Sequence, residues 1–322
     1  MKTVLANDGI DIQGRQILEE GGFTVWDTKV PQDELADFIN SHGVDVLLVR
    51  SATQVRRNLI EACPSLKIVG RAGVGVDNID VEFARSRNIV VLNTPGASAQ
   101  SVAELVFAHM FTLARRLQQS NRQMPVNGHS DFNALKKRYS DGIELKGRTL
   151  GIIGFGRIGQ AVATMALGLG MRIIPHDPLV PKAVLELDFL HGSNGRLKIE
   201  LECQTLERLL SESDFVTLHI PRQPDGRSVL GRPELMRMKR GSYLINTSRG
   251  GLVDELALLD LLNSGHLAGA GLDVFDNEPS PLPELLRHPL ISVSPHIGGS
   301  TREAQNRIGV ELARRVLEVY GG

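Results

Sequence analysis

Short apolar runs alternate with segments of helical period along the first ninety residues. Runs at Val4 to Ala6, Phe23 to Trp26, Val44 to Val49, Ile68 to Arg71 and Val90 to Leu92 predict strands. Between them, Gln13 to Glu20 (closed by Gly21 and Gly22), Glu34 to Asn40, the neighbourhood of Leu59, and Val81 to Ser86 predict helices. Ser101 to Gln119 predicts one long helix with Ser101 and Glu104 as a capping box, apolar almost all round between Val102 and Leu113. Asn121 to Gly147 is polar, lacks a strong period and reads as a surface crossover. Further strands are expected at 150–153, 171–175, 215–219, 242–246, 269–274 and 291–294, and helices at 157–169, 205–211, 254–263 and 301–319. Alternation of this kind implies α/β architecture with parallel, doubly wound sheets, whose ligands collect at the C-terminal ends of the strands.

One stretch, TLGIIGFGRIGQAVATMALGLGMRIIPHD from Thr149 to Asp177, parses as strand, glycine turn, helix, strand. Gly154, Gly156 and Gly159 form G-x-G-x-x-G. The first glycine permits the tight turn, the second lets backbone approach a pyrophosphate, and the third lets helix pack closely on strand. The pyrophosphate then meets the free N–H groups of a helix N-terminus. Asp177 follows the next strand, where a carboxylate accepts ribose hydroxyls and repels a 2′-phosphate, so the expected cofactor is NAD and not NADP. The bland alternative is an ordinary glycine-rich turn with Asp177 as a cap.

Length and charge narrow the partners. A chain of 322 residues suits two domains better than one. Lys plus Arg (36) nearly cancels Asp plus Glu (37), so no net field attracts nucleic acid or an anionic membrane, and a small-molecule partner is expected. Cys63 and Cys203 lie far apart, with neither C-x-x-C spacing nor histidine-rich surroundings, which argues for reduced thiols and against a zinc site. Neither the N-terminal sequence nor Ala103 to Ala114 resembles a signal or spanning segment, and cytoplasmic residence is the default expectation.

Three residues at predicted strand ends of the second half suit hydride chemistry on a 2-oxo acid: Arg249 in NTSRGG, Glu278 in DVFDNEP and His296 in SPHIGG. A guanidinium holds the carboxylate and carbonyl oxygen. An imidazole donates the proton that oxygen needs, and a paired carboxylate orients the imidazole and favours its charged form. In the first half, Arg50-Ser51 and Arg71-Ala72-Gly73 follow strands and are read either as anion-binding loops or as tight turns with solvated arginines. Val180 to Cys203, with a turn at His191 to Arg196, yields no functional reading.

The segments RAGVGVDNID, NTPGASAQSVAELV, GFGRIG, NTSRGGLVDE, AGLDVFDNEP and SPHIGGST resemble, in order and spacing, the D-isomer-specific 2-hydroxyacid dehydrogenases, most closely the 3-phosphoglycerate dehydrogenases, over nearly the whole chain. The resemblance implies a Rossmann NAD-binding domain (99–295) inserted into a flavodoxin-like substrate domain (1–98 and 296–322), and a homodimer. It puts Arg249, Glu278 and His296 on catalytic positions. Arg157, Ile158, Asp177, Thr247, Asp273, His296 and Gly298 join the fingerprint glycines as cofactor residues, and Arg50, Ser51, Arg71 and Gly73 join Arg249 as substrate residues. The pattern departs at Val74 and Ile220, where close relatives often have threonines near the cofactor. The sequence reaches Gly322 without the C-terminal regulatory domains that many phosphoglycerate dehydrogenases carry, so serine feedback through one is not expected.

The expected activity is NAD-dependent interconversion of a D-2-hydroxy acid and its 2-oxo acid, with 3-phosphoglycerate the leading substrate. Arg50 and Arg71 would face the same cleft as Arg249 and bind the phosphate, helped by Ser51 and by a partner subunit's basic side chain from Lys136 to Arg138. Reduction of glyoxylate or hydroxypyruvate is the rival within the class. An NAD-sensing binding protein, like the corepressors called C-terminal binding proteins, is the rival outside it.

Overall fold

The computed structural model describes residues 2–187 and 197–321; the turn expected at His191 to Arg196 lies outside the described residues. Two compact units divide the chain, one running to Ser101 and resuming at Gly299, the other Val102–Gly298.

The first unit contains β1 (Lys2–Ala6), α1 (Ile12–Glu20), β2 (Phe23–Trp26), α2 (Leu35–His42), β3 (Val46–Val49), α3 (Arg57–Ala62), β4 (Ile68–Arg71), α4 (Val81–Ser86) and β5 (Val90–Asn93). The strands form a parallel sheet in the order β2-β1-β3-β4-β5. The period of two sends alternate residues to opposite faces. Leu5, Leu47, Val49 and Val69 are buried with Leu35, Ile39, Leu59 and Ile60. Val4, Ala6, Val46, Leu48 and Ile68 are buried with Leu18 of α1 and with Leu312, Ala313 and Val316 of the last helix. Both faces being covered explains why these strands read as continuous apolar runs.

The second unit opens on α5 (Ala99–Ala114) and α6 (Leu117–Arg138), followed by β6 (Thr149–Ile153), α7 (Arg157–Gly168), β7 (Arg172–His176), β8 (Lys182–Leu187) and β9 (Leu197–Glu202). It continues through α8 (Leu206–Glu212), β10 (Phe215–Leu218), α9 (Arg232–Arg237), β11 (Tyr243–Asn246), α10 (Glu255–Asn263), β12 (Gly269–Leu272), α11 (Pro283–Arg287) and β13 (Ile291–Val293). The returning helix α12 (Arg302–Gly321) belongs to the first unit. Six parallel strands run β13-β12-β11-β10-β6-β7, so strand order reverses between β6 and β10. Leu150, Ile152, Phe215 and Ile245 pack with α5 and α7, and Ile153, Val216, Leu218, Leu244 and Leu272 pack on the other face with α8 and α10.

Three features depart from the sequence expectations. The single helix expected from Ser101 to Gln119 is two: α5 starts at Ala99, which removes Ser101 from a capping position, and it ends at Ala114, whose carbonyl accepts the Ile143 N–H at 2.9 Å. Arg116 then turns left-handed (φ 49) and α6 begins. The segment read as irregular crossover is mostly that helix, whose period is faint because Leu135 is its buried residue. The unassigned segment after Asp177 contains an antiparallel pair, β8 with β9, that buries Leu185 and Leu187 against the α5 and α7 core. The units also divide three residues beyond the boundaries expected from the sequence, because Asp273 holds the backbone of 296–298 in the second unit.

Both cysteines are free, and burial pushes the Cys63 thiol up to about 11. Among the described residues no helix is long and apolar enough to cross a membrane.

Candidate functional site

The glycine fingerprint occupies the reversal between β6 and β10. Gly154 is left-handed (φ 93), and a Cβ on it would stand 2.5 Å from the His219 carbonyl oxygen. A Cβ on Gly159 would meet the Gly154 carbonyl oxygen at 2.1 Å, so α7 packs on the turn only because both residues are glycine. Gly156, at the N-cap of α7, has open space where a Cβ would be, as backbone approach to a ligand requires. Arg157 is exposed beside it, and Ile158 packs inward.

Asp177 lies just past β7, and its carboxylate accepts the Phe155 N–H at 2.8 Å and the Leu179 N–H at 2.9 Å. The acid read as a ribose acceptor therefore also ties the fingerprint turn to the β7 end. At neighbouring strand ends, two buried polar atoms have no hydrogen-bond partner: Thr247 Oγ1 after β11, and Nδ1 of His219 after β10. His219 was not singled out in the sequence; its Nε2 lies 3.0 Å from Thr217 Oγ1, and burial lowers its imidazole to about 3. Open backbone at Gly156, the Asp177 acceptor and two unpaired polar atoms at strand ends fit a dinucleotide. Ile220 lines the same turn with an apolar methyl, 2.6 Å from a Cβ position on Gly154.

Arg249 stands on a turn closed by Asn246: Asn246 Nδ2 donates to the Arg249 carbonyl at 2.9 Å, and its Oδ1 accepts the Ser248 N–H at 3.1 Å. A Cβ on Gly250 would strike the Phe275 carbonyl at 1.9 Å, so this turn lies directly on the segment that carries Glu278. Arg222, also not anticipated, lies across the left-handed Gly251 of the same turn.

Glu278 Oε1 accepts the Phe275 N–H at 3.0 Å, while Oε2 lies 2.8 Å from His296 Nδ1. Burial alone would raise the Glu278 carboxyl. The bond to His296, the Phe275 N–H and the charges of His296 and Arg249 outweigh burial and hold it below its ordinary value of 4.5. The three residues expected at the catalytic positions are thus gathered in one unit.

Asp273, expected among the cofactor residues, also organises the loop that follows β13. It is wholly buried, and its carboxylate accepts Ser294 Oγ at 2.6 Å, the Ile297 N–H at 2.9 Å and the Gly298 N–H at 2.8 Å. Its carbonyl takes the His296 N–H at 2.8 Å. These bonds hold the loop on which His296 sits in a left-handed conformation (φ 55).

In the first unit, Arg50 and Arg71 end the neighbouring strands β3 and β4. Asp8 shapes the Arg50–Thr53 turn by accepting the Arg50 N–H at 2.7 Å and the Thr53 N–H at 3.1 Å. Burial would raise the Asp8 carboxyl, but Lys29, these N–H groups and the Thr53 hydroxyl together lower it. Asn78 Nδ2 adds a bond to the Arg50 carbonyl at 2.8 Å. With its backbone so fixed, Arg50 has a buried Nε without a hydrogen-bond partner. Arg50 and Ser51 line a surface cavity of about 490 Å³. The Arg71 guanidinium lies over Gly73 (φ 145), where a Cβ would come within 1.5 Å of Nη1. Val74 gives up its carbonyl to Asn93 Nδ2 at 2.7 Å. Lys136 to Arg138 close α6, with Arg138 donating to Gln123 at 2.9 Å.

Residues 107–298 match the family model described as D-isomer specific 2-hydroxyacid dehydrogenase, NAD binding domain. The chain belongs to that family. It is 42% identical to the hydroxypyruvate reductase of Thermotoga maritima, across 99% of this chain and 98% of that protein. It is 41% identical to the D-3-phosphoglycerate dehydrogenase of Methanocaldococcus jannaschii, matching along its whole length but spanning 58% of that protein. Among solved structures, the TT0316 protein of Thermus thermophilus superposes with a TM-score of 0.83 at 33% identity, over 100% of this chain and 97% of that one. This dehydrogenase uses NAD, which the family's second domain binds.

Proposed function

We propose that this NAD-dependent D-2-hydroxyacid dehydrogenase interconverts 3-phosphoglycerate and 3-phosphohydroxypyruvate, serving serine biosynthesis as a cytoplasmic homodimer. The observation that carries this reading is Arg50: its backbone is fixed by Asp8 and Asn78, its Nε is buried without a partner, and it stands one strand from Arg71. A buried guanidinium N–H without an acceptor is costly, and a substrate phosphate supplies one through a charge-assisted bond. The M. jannaschii relative supports the same substrate.

NAD, when bound, would supply or accept the hydride at carbon 2 of the substrate. The residues of this chain do the rest. Arg249 holds the carboxylate and carbonyl oxygen, which orients the reacting carbon and stabilises charge on that oxygen. His296 gives its proton to the oxygen in reduction and takes it back in oxidation, while Glu278, on Nδ1, keeps the ring aligned. Asp177, Gly156 and Thr247 hold the dinucleotide.

Reduction of hydroxypyruvate or glyoxylate is a second reading, favoured by the match to the T. maritima reductase along nearly all of both chains. Measuring kcat/KM for 3-phosphohydroxypyruvate against hydroxypyruvate, in wild type and Arg50→Ala, separates the two. The phosphorylated substrate should lead by at least about a hundredfold, the ~3 kcal/mol of one good charged contact, and Arg50→Ala should erase much of that lead. Equal efficiency on both substrates would favour the reductase. No turnover of NADH with any 2-oxo acid would favour an NAD-sensing binding protein.

A further inference from the structure

Helix α5 is apolar where it faces the sheet, except for one residue. His109 is 4% exposed, and both ring nitrogens are engaged: Nδ1 lies 2.9 Å from Ser292 Oγ and Nε2 lies 3.0 Å from Ser294 Oγ. The strand beneath is cut to fit the ring, since a Cβ on Gly271 of β12 would come within 2.8 Å of His109 Cβ and 3.0 Å of its Cγ. An alanine there would force the imidazole away, so glycine and histidine are matched at a close approach.

Hydrogen-bond directions follow from donor counting. A hydroxyl has one proton, and Ser294 donates its own to Asp273 Oδ1 at 2.6 Å. Its oxygen must then accept from His109, which puts the ring proton on Nε2 and leaves Nδ1 to accept from Ser292. Burial lowers the imidazole below its ordinary 6.5, with the Asp273 charge pulling only partly back, in keeping with a neutral ring. The chain of bonds continues from Asp273 to the backbone of 296–298, through its carboxylate at Ile297 and Gly298 and its carbonyl at His296.

We propose that His109 is a positioning residue for the hydride-transfer reaction: through Ser294 and Asp273 it locks the loop that presents His296 to Glu278 and to the substrate oxygen. The inference rests on His296 being the proton donor. Geometry makes the lock consequential. A non-glycine residue in the left-handed region is held there by its surroundings, and Asp273 supplies three of the bonds that hold this one and its two successors. Asp273 Oδ1 is shared by Ser294 and Ile297, so freeing the Ser294 hydroxyl to rotate loosens the carboxylate's grip on the Ile297 N–H. A small displacement of His296 costs rate because proton transfer needs alignment as well as proximity.

The test compares His109→Leu, Ser294→Ala, Ser294→Thr, Ser292→Ala and His296→Gln by steady-state kinetics with a 2-oxo acid and NADH, NADH titration by fluorescence, and thermal unfolding. His109→Leu and Ser294→Ala should each lower kcat about tenfold while KM and NADH affinity stay within about twofold, the pattern of an interaction used in the chemical step. Ser294→Thr keeps the hydroxyl and should restore most of kcat. Ser292→Ala cuts the bond that leads away from Asp273 and should cost at most about threefold. Equal losses in the two serine variants, or unchanged kcat in Ser294→Ala, would overturn the proposal and reduce His109 to core packing. Near-normal turnover in His296→Gln would instead overturn the assignment of the proton donor, whatever the serines do. His109→Leu that unfolds early leaves the decision to Ser294→Ala and Ser294→Thr, which change one hydroxyl.

Discussion

The imidazole of His296 and the carboxylate of Glu278 are joined at 2.8 Å, Nδ1 to Oε2, with the other carboxylate oxygen pinned by the Phe275 N–H. Glu278→Gln keeps the shape and removes the carboxylate that aligns the ring, so kcat for 2-oxo acid reduction should fall about tenfold or more. His296→Gln should cost roughly a hundredfold with NADH binding nearly unchanged. The Glu278 carboxyl is depressed in the folded protein, so the pair contributes fully above 4.5 and weakens as pH falls through the lower folded value. Unaltered kcat in Glu278→Gln would count against the pairing.

The Asp177 carboxylate ties Phe155 of the fingerprint turn, and the same carboxylate is expected to repel a 2′-phosphate. Asp177→Ala should therefore narrow the preference for NAD over NADP and weaken binding of both cofactors, because the turn loses an anchor. Asp177→Asn retains an acceptor for Phe155 and should narrow the preference with less loss of NAD. Equal binding of the two cofactors by wild type would remove the specificity role.

Much of the architecture was legible because both sheets are covered on both faces. Strands such as β4 stand out as apolar runs ending at a charged residue, Arg71, and the observed β2 and β4 coincide with the runs read from the sequence. What escaped has a physical cause. The break at Arg116 leaves no mark in the pattern, since the residues around it from Leu113 to Gln119 are all good helix formers and the turn is closed by Ile143, twenty-seven residues on. Helices α9 and α11 are too short to show a period. At the site, Arg249, Glu278 and His296 stand out in the sequence by residue type, and the structure gathers them in one unit. Contacts were not legible: His219 and His109 look like any other histidine until the atoms around them are known, and the three donors that Asp273 accepts leave no mark in the sequence.

His219 makes a stability prediction. Its imidazole takes a proton only near pH 3 when folded, against 6.5 ordinarily. Between those values the unfolded chain binds more protons, so stability is full above 6.5 and is lost progressively as pH falls toward 3. His109 and His288 are lowered in the same direction and add to the trend. Urea midpoints at pH 7.5 and pH 5, compared for wild type and His219→Gln, isolate the one residue. The drop on acidification should be smaller in the variant, and an identical drop would show that His219 is not the group responsible.

The last prediction concerns a second copy of the chain. Helix α6 has 22 residues, of which Leu135 alone is buried, yet it is not uniformly polar. Leu117, Met124, Phe132 and Val126, the last 77% exposed, present apolar side chains to water, and Phe111 of α5 does the same. Scattered exposed apolar residues need no explanation, but a succession of them through α6, on both sides of its kink at Asp131, does. Covering them with the same helix of a second copy removes apolar surface from water at roughly 25 cal/mol per Å² on both sides at once, because a two-fold interface uses each patch twice. Sedimentation of the wild type at micromolar concentration should give twice the 35.1 kDa of the chain. Val126→Glu and Phe132→Glu place charges in that surface without touching the buried core and should shift the species toward monomer, with thermal unfolding reporting whether each unit stays folded. A wild type that sediments at 35.1 kDa, or glutamate variants that remain dimeric, would move the interface elsewhere or remove it.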